Sequence, residues 1–366
     1  MRVLQSAALV IDEGDDDAWP DPMAYEKPGS SFNQIDKAGK ILSDNNADWE
    51  ELGAALRALW NWRAAHSYPL NSLHVTLRRR ALRVDPHAIT VQRLKRFDSI
   101  LRKLRRRGTM QMSQMQDIGG CRAIVSNMGQ LDALRSLYSS KPLRHELSKT
   151  RDYIEDPKDD GYRSVHLMYR FIGSASSLPW NKLRIEIQMR TQLQHAWATA
   201  VETVDAFTGE DLKFGAGSPD WRRFFSLVGS VHAIYENSQT VPGTPETHDA
   251  LRAEVRELEH RLQVINLLSY YAGITRHITG DQAGKDYWYV LALLPEQEQV
   301  RIESYPMKLF ETAKTRYSDL EQEFQGTRNQ AVLVSVASLN ELQQAYPNYF
   351  ADTAHFTSVL AHFLGR

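Results

Sequence analysis

Four short stretches combine charged, polar and small residues in patterns that suit phosphate and metal chemistry. In the first, Leu183, Ile185, Ile187 and Met189 alternate with Arg184, Glu186, Gln188 and Arg190. A period of two predicts a strand with an aliphatic core face and all four polar side chains on the other. A carboxylate, an amide and two guanidiniums on one face can hold a metal and phosphates together. A solvent-facing strand with cross-strand ion pairs would read the same on its own. In the second, spacing of about 100° per residue places Leu94, Phe97, Ile100, Leu101 and Leu104 on one arc of a helix expected over 89–106. Lys95, Ser99, Arg102 and Lys103 face away from it, at a spacing that reaches successive phosphate oxygens or simply makes a solvated face. Arg93 falls nearer the apolar side.

The third stretch, Asp117 to Arg122, puts an aspartate just ahead of a strand expected at Cys121–Ser126. Magnesium prefers one or two carboxylates together with phosphate oxygens, and Gly119 and Gly120 allow close backbone approach. The fourth, Asp160 to Ser164, is a turn that presents Tyr162. A strand follows, in which Val165, Leu167, Tyr169 and Phe171 alternate with Ser164, His166, Met168 and Arg170.

The elements that carry these residues belong to an ordinary globular chain. Its 366 residues suffice for two or three domains, and 42% hydrophobic with 24% charged residues excludes a disordered chain. No apolar run approaches the ~20 residues that span a bilayer, and no signal peptide is expected. The single cysteine, Cys121, excludes an internal disulfide and a multi-cysteine zinc site. A cytoplasmic location follows most simply. Net charge is −1 but unevenly placed. Residues 12–26 hold seven acidic side chains and no basic one, and 12–31 reads as an irregular arm. Residues 78–107 hold twelve Lys/Arg against two Asp, either a solvated face or a surface for phosphates or nucleic acid. An amphipathic helix is expected at 48–66, from Trp49, Leu52, Leu56, Leu59 and Arg63, and another at 192–207. Loops or linkers are expected at 209–219 and 238–248. A heptad-like helix through Leu251, Val255, Leu258, Leu262 and Ile265 then opens a region of its own. It has strands at 287–294, 299–304 and 331–336 and helices at 307–324, 338–345 and 352–363.

Taken together, the four stretches resemble the RelA/SpoT-type alarmone synthetases. Arg93, Lys95, Ser99-Ile100 and Lys103 match R-x-K-x-x-x-S-I-x-x-K, and Asp117, Gly120 and Arg122 match D-x-x-G-x-R. Asp152-Tyr153-Ile154, Pro157-Lys158, Gly161-Tyr162, Ser164 and His166 follow the family's D-Y-I-x-x-P-K-x-N-G-Y-x-S-x-H loop, with Asp160 in place of asparagine. Glu186, Gln188 and Arg190-Thr191 match E-x-Q-x-R-T. The resemblance implies that Arg93 and Arg122 sandwich the adenine of ATP, while Lys95, Ser99 and Lys103 hold its phosphates. Asp117 and Glu186 would be catalytic and carry Mg²⁺, with Glu186 also taking the proton from the attacking hydroxyl. Tyr162 would stack on the acceptor's base, with Lys158, His166, Gln188 and Arg190 completing the acceptor side. His195 and Glu202, seven apart on the following helix, either line this site or are surface polar positions. No His-Asp pair of the family's hydrolase domain is evident.

The stretch Tyr346-Pro-Asn-Tyr349-Phe350-Ala-Asp352-Thr353, with the strand before it, resembles the C-terminal domain of CapRel-type fused toxin–antitoxin proteins. That resemblance implies an α+β chain: a RelA/SpoT-like synthetase fold, with a mixed sheet flanked by helices, followed by a small α+β domain like a zinc finger without zinc. The expected division is 1–88 as an acidic arm and helices of the synthetase half, 89–245 as the pyrophosphokinase domain and 246–366 as the regulatory region. It further implies a toxin that moves pyrophosphate from ATP to the 3′ end of tRNA, restrained until a phage capsid protein binds. GDP or GTP remains open as acceptor, and so does a catalytically inactive sensing module. Tyr346 and Tyr349, three apart, either take the adenine's place between Arg93 and Arg122 or pack their own domain's core.

Overall fold

The computed structural model describes residues 25–44, 48–106, 109–212, 215–274, 276–279, 287–336, 342–343, 346–350 and 352–366. Three helices come first: α1 (Phe32–Ser43), α2 (Trp49–Ala65) and α3 (Ser67–Val84). Ser31 and Gln34 form a capping box on α1, and Asp48 caps α2, because short polar side chains satisfy the free first-turn amides. The helix expected at 48–66 is α2. The acidic stretch lies outside the described residues as far as residue 24. From Tyr25 onward the chain is pinned: Trp180 Nε1 donates to Glu26 O at 2.8 Å and Asn61 Nδ2 to Lys27 O at 3.0 Å.

The helix expected over 89–106 is two elements, a strand β1 (Ile89–Leu94) and a helix α4 (Phe97–Arg106). Ile89, Thr90 and Val91 are β-branched and favour the extended chain, which pairs antiparallel with β2 (Gly119–Val125). Helical periodicity holds only from Phe97, where Phe97, Ile100 and Leu104 are buried. Arg93 therefore stands on a strand and Lys95 in the turn after it, not on a shared helical arc with Ser99 and Lys103.

After helix α5 (Met128–Ser140) come β3 (Glu146–Asp152), β4 (Val165–Arg170) and β5 (Arg184–Thr191), then helices α6 (Gln192–Thr208) and α7 (Pro219–Tyr235). The sheet runs β1-β2-β5-β4-β3, with β2 and β5 parallel and the other pairs antiparallel. Ile185, Ile187 and Met189 are fully buried in a core with α1–α3, Phe97, Ile100 and Leu104, so the alternation read in this strand is realised. Thr191 and Gln194 form a capping box on α6, and Gln194 Nε2 donates to Glu236 at 2.8 Å. That contact ties the end of α7 to the start of α6.

The remaining described residues divide among three cores. Helices α8 (His248–Leu262), α9 (Val264–Ile274) and α11 (Ala354–Leu364) share one with α6 and α7, where Leu251, Val255 and Phe356 meet Trp197, Phe224 and Val228. The second sheet, ordered β6-β8-β7-β9, is made of Arg276–Thr279, Gln299–Pro306, Tyr287–Leu294 and Gln330–Val336. Alternation in β7 sends Val290, Ala292 and Leu294 against helix α10 (Phe310–Glu323). It sends Tyr289, Leu291 and Leu293 against Tyr346, Tyr349 and Phe350, and this core includes Val91 of β1 and Ala206 of α6. The strands expected at 287–294, 299–304 and 331–336 thus correspond to β7, β8 and β9. The helix expected at 338–345 falls largely outside the described residues. Among the described residues no helix is long and apolar enough to cross a membrane.

One close backbone contact positions the loop that carries Tyr162. Gly161 has φ +90° and lies on α7, where an added Cβ would stand 2.5 Å from Phe225 O. Gly229 of α7 faces it with as little room, 2.6 Å to Gly161 Cα. Gly161→Ala combines a disfavoured φ with a backbone clash and should cost about 2–4 kcal/mol. A thermal melt should show a clear loss of Tm, and a Tm unchanged from wild type would mean that the loop has slack to move off α7.

Candidate active site

The parallel pairing of β2 with β5 sets Gly120 beside Glu186 and Arg122 beside Gln188. The antiparallel pairs on either side add Arg93 next to Gly120 and His166 next to Gln188. Residues far apart in sequence thereby share one sheet face. Gly120 is the gap in that face: an added Cβ there would meet only Glu186 O, at 3.8 Å.

On the β2 side, Asp117 is gripped by two ammonium groups. Lys95 Nζ lies 2.7 Å from its Oδ2 and Lys103 Nζ 2.8 Å from its Oδ1. Burial pushes the Asp117 carboxyl up, and the two lysines outweigh it and hold it below the usual carboxylate range. Burial lowers Lys95 in turn, against the pull of Asp117. Ser99 is half-buried on α4 and lines a neighbouring cavity with Arg93.

On the β4 side a chain of hydrogen bonds runs through the polar residues. His166 Nδ1 meets Glu186 Oε1 at 3.0 Å and its Nε2 meets Tyr162 Oη at 2.8 Å. Gln188 Nε2 donates to Glu186 Oε2 at 2.7 Å, and Gln188 Oε1 accepts from Arg190 at 3.0 Å and Arg122 Nε at 3.3 Å. Arg190 also donates to Tyr162 Oη at 3.0 Å. Burial opposes the His166 charge, yet Tyr162 and Glu186 outweigh it and lift its pKa to about 9. Burial likewise raises Tyr162, but Arg190, His166 and Arg122 bring it down to about 7. Asp160 accepts a hydrogen bond from Tyr162 N at 2.9 Å, so it makes the Asx turn that an asparagine would make there. Lys158 Nζ lies over the Tyr153 and Tyr162 rings at 4.4 and 4.8 Å.

Arg93 and Arg122 both face this centre. Burial, followed by Arg190 and Arg93, pushes the Arg122 guanidinium down to about 9, and Glu202 of α6 partly offsets that. Glu202 is also the main counter-charge of half-buried Arg93. His195 of the same helix is buried. Tyr346 lies among these groups. With Lys95, Asp117, Arg122, Glu186 and Gln188 it lines a cavity of about 60 Å³, and its hydroxyl donates to Gln92 O at 3.3 Å. Burial raises Tyr346 to about 12 against the pull of Arg93 and Arg122. Tyr349 is buried too, on the other side of Arg93, with its hydroxyl 3.5 Å from Ala331 O.

The structure thus brings Arg93, Lys95, Lys103, Asp117, Arg122, Glu186, Gln188 and Tyr346 together, with Tyr162, His166 and Arg190 linked through Gln188 and Glu186. Sequence reasoning passed over Arg63, Tyr317 and Glu321, which support the turn at Lys95. Arg63 Nε donates to Lys95 O at 2.6 Å and its Nη2 to Tyr317 Oη at 2.6 Å. Its one signal was an arginine in the apolar phase of α2.

Residues 92–205 match the model of the region found in RelA / SpoT proteins. The matched segment holds Arg93, Lys95, Lys103, Asp117, Arg122, Tyr162, His166 and Glu186. GTP pyrophosphokinase YwaC of Bacillus subtilis is 34% identical over 122 residues, covering 31% of this chain and 56% of the relative. GTP pyrophosphokinase YjbM of the same organism is 32% identical over 118 residues, 31% of this chain and 54% of the relative. The chain spans about half the length of these curated relatives. Among solved structures, small alarmone synthetase 1 of Bacillus subtilis bound to its product pppGpp aligns with 46% of this chain and 88% of its own. The identity is 24% and the TM-score 0.39.

The two lysines on Asp117 give a measurable pH dependence. The Asp117 carboxyl is held below its ordinary 3.8, so its stabilising effect is complete above that value and is lost as pH falls toward the folded-state pKa. Asp117→Asn should cost about 1–3 kcal/mol at pH 7, because two half-buried ammoniums lose their charged acceptor. Melts of variant and wild type should converge as pH drops below 4, and a gap that persists unchanged in acid would assign the loss to packing instead.

Proposed function

We propose that this chain is an ATP pyrophosphokinase held closed by its own C-terminal unit, with the 3′ end of tRNA as acceptor and a role in anti-phage defence. The observation that carries the catalytic part is the convergence on one sheet face of a lysine-rich donor side, a tyrosine-bearing acceptor side and Glu186 between them. In the reaction, the acceptor hydroxyl oxygen bonds to the β-phosphorus of ATP, the bond from that phosphorus to the α-bridging oxygen breaks, and AMP leaves. Lys95, Lys103 and Ser99 meet the phosphates, while Arg93 and Arg122 flank the adenine, as planar cations suit. Tyr162 offers its ring to the acceptor's base with Lys158 nearby, and Glu186 takes the hydroxyl proton. His166, Gln188 and Arg190 hold Tyr162 and Glu186 in place. Asp117 and Glu186 are a hard-oxygen pair of the kind that holds Mg²⁺ together with phosphate oxygens and water, and the ion supplies charge neutralisation when bound. Positioning and neutralisation are most of what such a transfer requires.

The restraint rests on Tyr346. Nucleotide pockets run to ~300–1,000 Å³, and the cavity that holds Asp117, Arg122 and Glu186 measures about 60 Å³ with Tyr346 in its wall. Tyr346 and Tyr349 also pack the core of the second sheet. The two readings of these tyrosines are therefore compatible, because that core continues onto Val91 of β1. A phage capsid protein as trigger would act by binding the open state more tightly than the closed one. For the acceptor, Arg78, Arg79, Arg83, Arg102, Arg105 and Arg106 are exposed, and clustered cations favour a polyanion such as tRNA. The relatives' name, GTP pyrophosphokinase, favours the second reading, an alarmone synthetase acting on GDP or GTP.

Incubation with γ-labelled ATP and tRNA, GDP or GTP should place label on tRNA; label on the guanine nucleotides alone would decide for the second reading. Glu186→Gln, in an opened background, should retain ATP binding and lose turnover by about 10²-fold or more, as removal of a general base does. Tyr346→Ala should bind ATP at least ~10-fold more tightly than wild type, since closure no longer competes, while Tyr346→Phe, which keeps the ring, should stay closed. Equal ATP affinity in all three proteins would remove Tyr346 from the restraint. Point variants are the sharper test, because a cut near residue 245 would also strip α8, α9 and α11 from Phe224 and Val228.

A further inference from the structure

Arg63 is 5% exposed and lies in a built pocket. Its guanidinium carbon is 5.7 Å from the Trp60 ring centre and 5.1 Å from that of Tyr317, and Trp60 stacks on Phe97 at 4.8 Å. Burial works against its charge, and Tyr317 and Glu321 outweigh it, so its pKa stands above the ordinary arginine value. Directly beside it is the start of α4, whose cap position holds Arg96, a residue with no acceptor in its side chain. The first-turn amide of Phe97 is satisfied from elsewhere: it donates to Glu321 Oε1 at 3.0 Å, across 224 residues of sequence. The other oxygen, Oε2, lies 3.6 Å from Arg63 Nη2, has no hydrogen-bond partner in the structure and is buried. Glu321 also lines the cavity of about 280 Å³ between the two units, whose wall includes Arg93, Arg96 and Ser99.

Of the groups around that carboxylate, Arg63, Trp60 and the Phe97 amide belong to the synthetase half, whereas Tyr317 and Glu321 come from α10. If α10 is lifted away, a buried arginine and a free helix N-terminal amide remain side by side, the donor set that binds an oxyanion. We propose that Arg63 and the N-terminus of α4 form an oxyanion site, that Glu321 fills it from within the chain, and that a phosphate group enters it when Glu321 is withdrawn. Phosphate and the Glu321 carboxylate then compete for the same donors. The site is separate from the cavity of Asp117 and Glu186, and its test needs no turnover, so its failure would leave the catalytic reading untouched.

Thermal melts of the full chain in chloride buffer, with and without inorganic phosphate, test this directly. Glu321→Ala should melt below wild type in chloride and regain about 2–4 °C in millimolar phosphate, as a ligand that binds only the folded form does. Wild type should not respond. Glu321→Gln keeps the hydrogen bond from Phe97 and offers Arg63 no charge; it should fold and show a smaller response of the same sign. Adding Arg63→Gln to Glu321→Gln should abolish that response. ATP in place of phosphate separates the sources: a Tm rise with ATP that Arg63→Gln removes assigns the site to a nucleotide phosphate, and a rise with inorganic phosphate alone assigns it to the free ion. If neither Glu321 variant responds to either anion more than wild type does, Glu321 is a structural contact only and the oxyanion site does not exist.

Discussion

The whole site depends on the register of one parallel strand pair. With Gly120 beside Glu186 and Arg122 beside Gln188, a donor-side loop and an acceptor-side strand share a face. A slip of one residue would turn Glu186 and Gln188 into the core and bring Ile185 and Ile187 out. The two adjacent glycines of β2 protect this register in different ways. A Cβ on Gly119 would strike Ile185 Cδ1 at 2.7 Å, so its absence lets the strand settle onto the core. The bare Gly120 keeps the opposite face open between Arg93 and Glu186. One dipeptide thus serves packing on one side and chemistry on the other.

That division explains how much was legible in the sequence. Alternation in 183–190 was decisive because a strand buried on one face must repeat every second residue, and Ile185, Ile187 and Met189 do. The lysine–aspartate set was expected, from the motif resemblance, to serve phosphate and metal; that its members pair with one another was not expected. Its geometry was misread. Apolar residues at 94, 97, 100, 101 and 104 continued a helical phase backwards through residues that are β-branched and pair with β2. Lys95 still reaches Asp117, because a turn at the head of α4 points it where a helical arc had been drawn. Arg63 and Glu321 were illegible for a different reason. Their meaning lies in contacts across more than 200 residues, and no local pattern encodes which buried arginine will meet which carboxylate.

The positive charges gathered at the site are balanced from within the chain. Arg93, Arg122 and Arg190 lie close enough to depress Arg122 to about 9, and such a cluster is costly to bury unless it is balanced. Glu202 balances Arg93 and Arg122, Asp117 balances both lysines, and Tyr162 with Glu186 raises the pKa of His166. Each positive group that would meet a nucleotide phosphate has an internal carboxylate in the closed state.

The same arrangement limits how firmly the two units can be joined. Among the described residues their polar contacts are Tyr346 to Gln92 O at 3.3 Å, Arg63 to Tyr317 at 2.6 Å, Phe97 N to Glu321 at 3.0 Å with Arg63 3.6 Å from the same carboxylate, and Arg328 to Phe207 O at 3.1 Å. The apolar part of the seam centres on Val91 and Ala206 set among the side chains of the second sheet. Within one chain, docking of this size gains from high effective concentration, so it need not be strong to be nearly complete. Weak docking is also what a switch requires. A ligand can move an equilibrium only by its difference in affinity for the two states, and reversing a 1:99 population takes about 5.5 kcal/mol. A seam of four hydrogen bonds, one ion pair and a small apolar contact lies within reach of that difference. A seam buried like the α6–α8 core, with its aromatic residues, would not. Under the proposed restraint, release of the packing over Arg93 would expose the site while the core of α6, α7 and α8 stays in place.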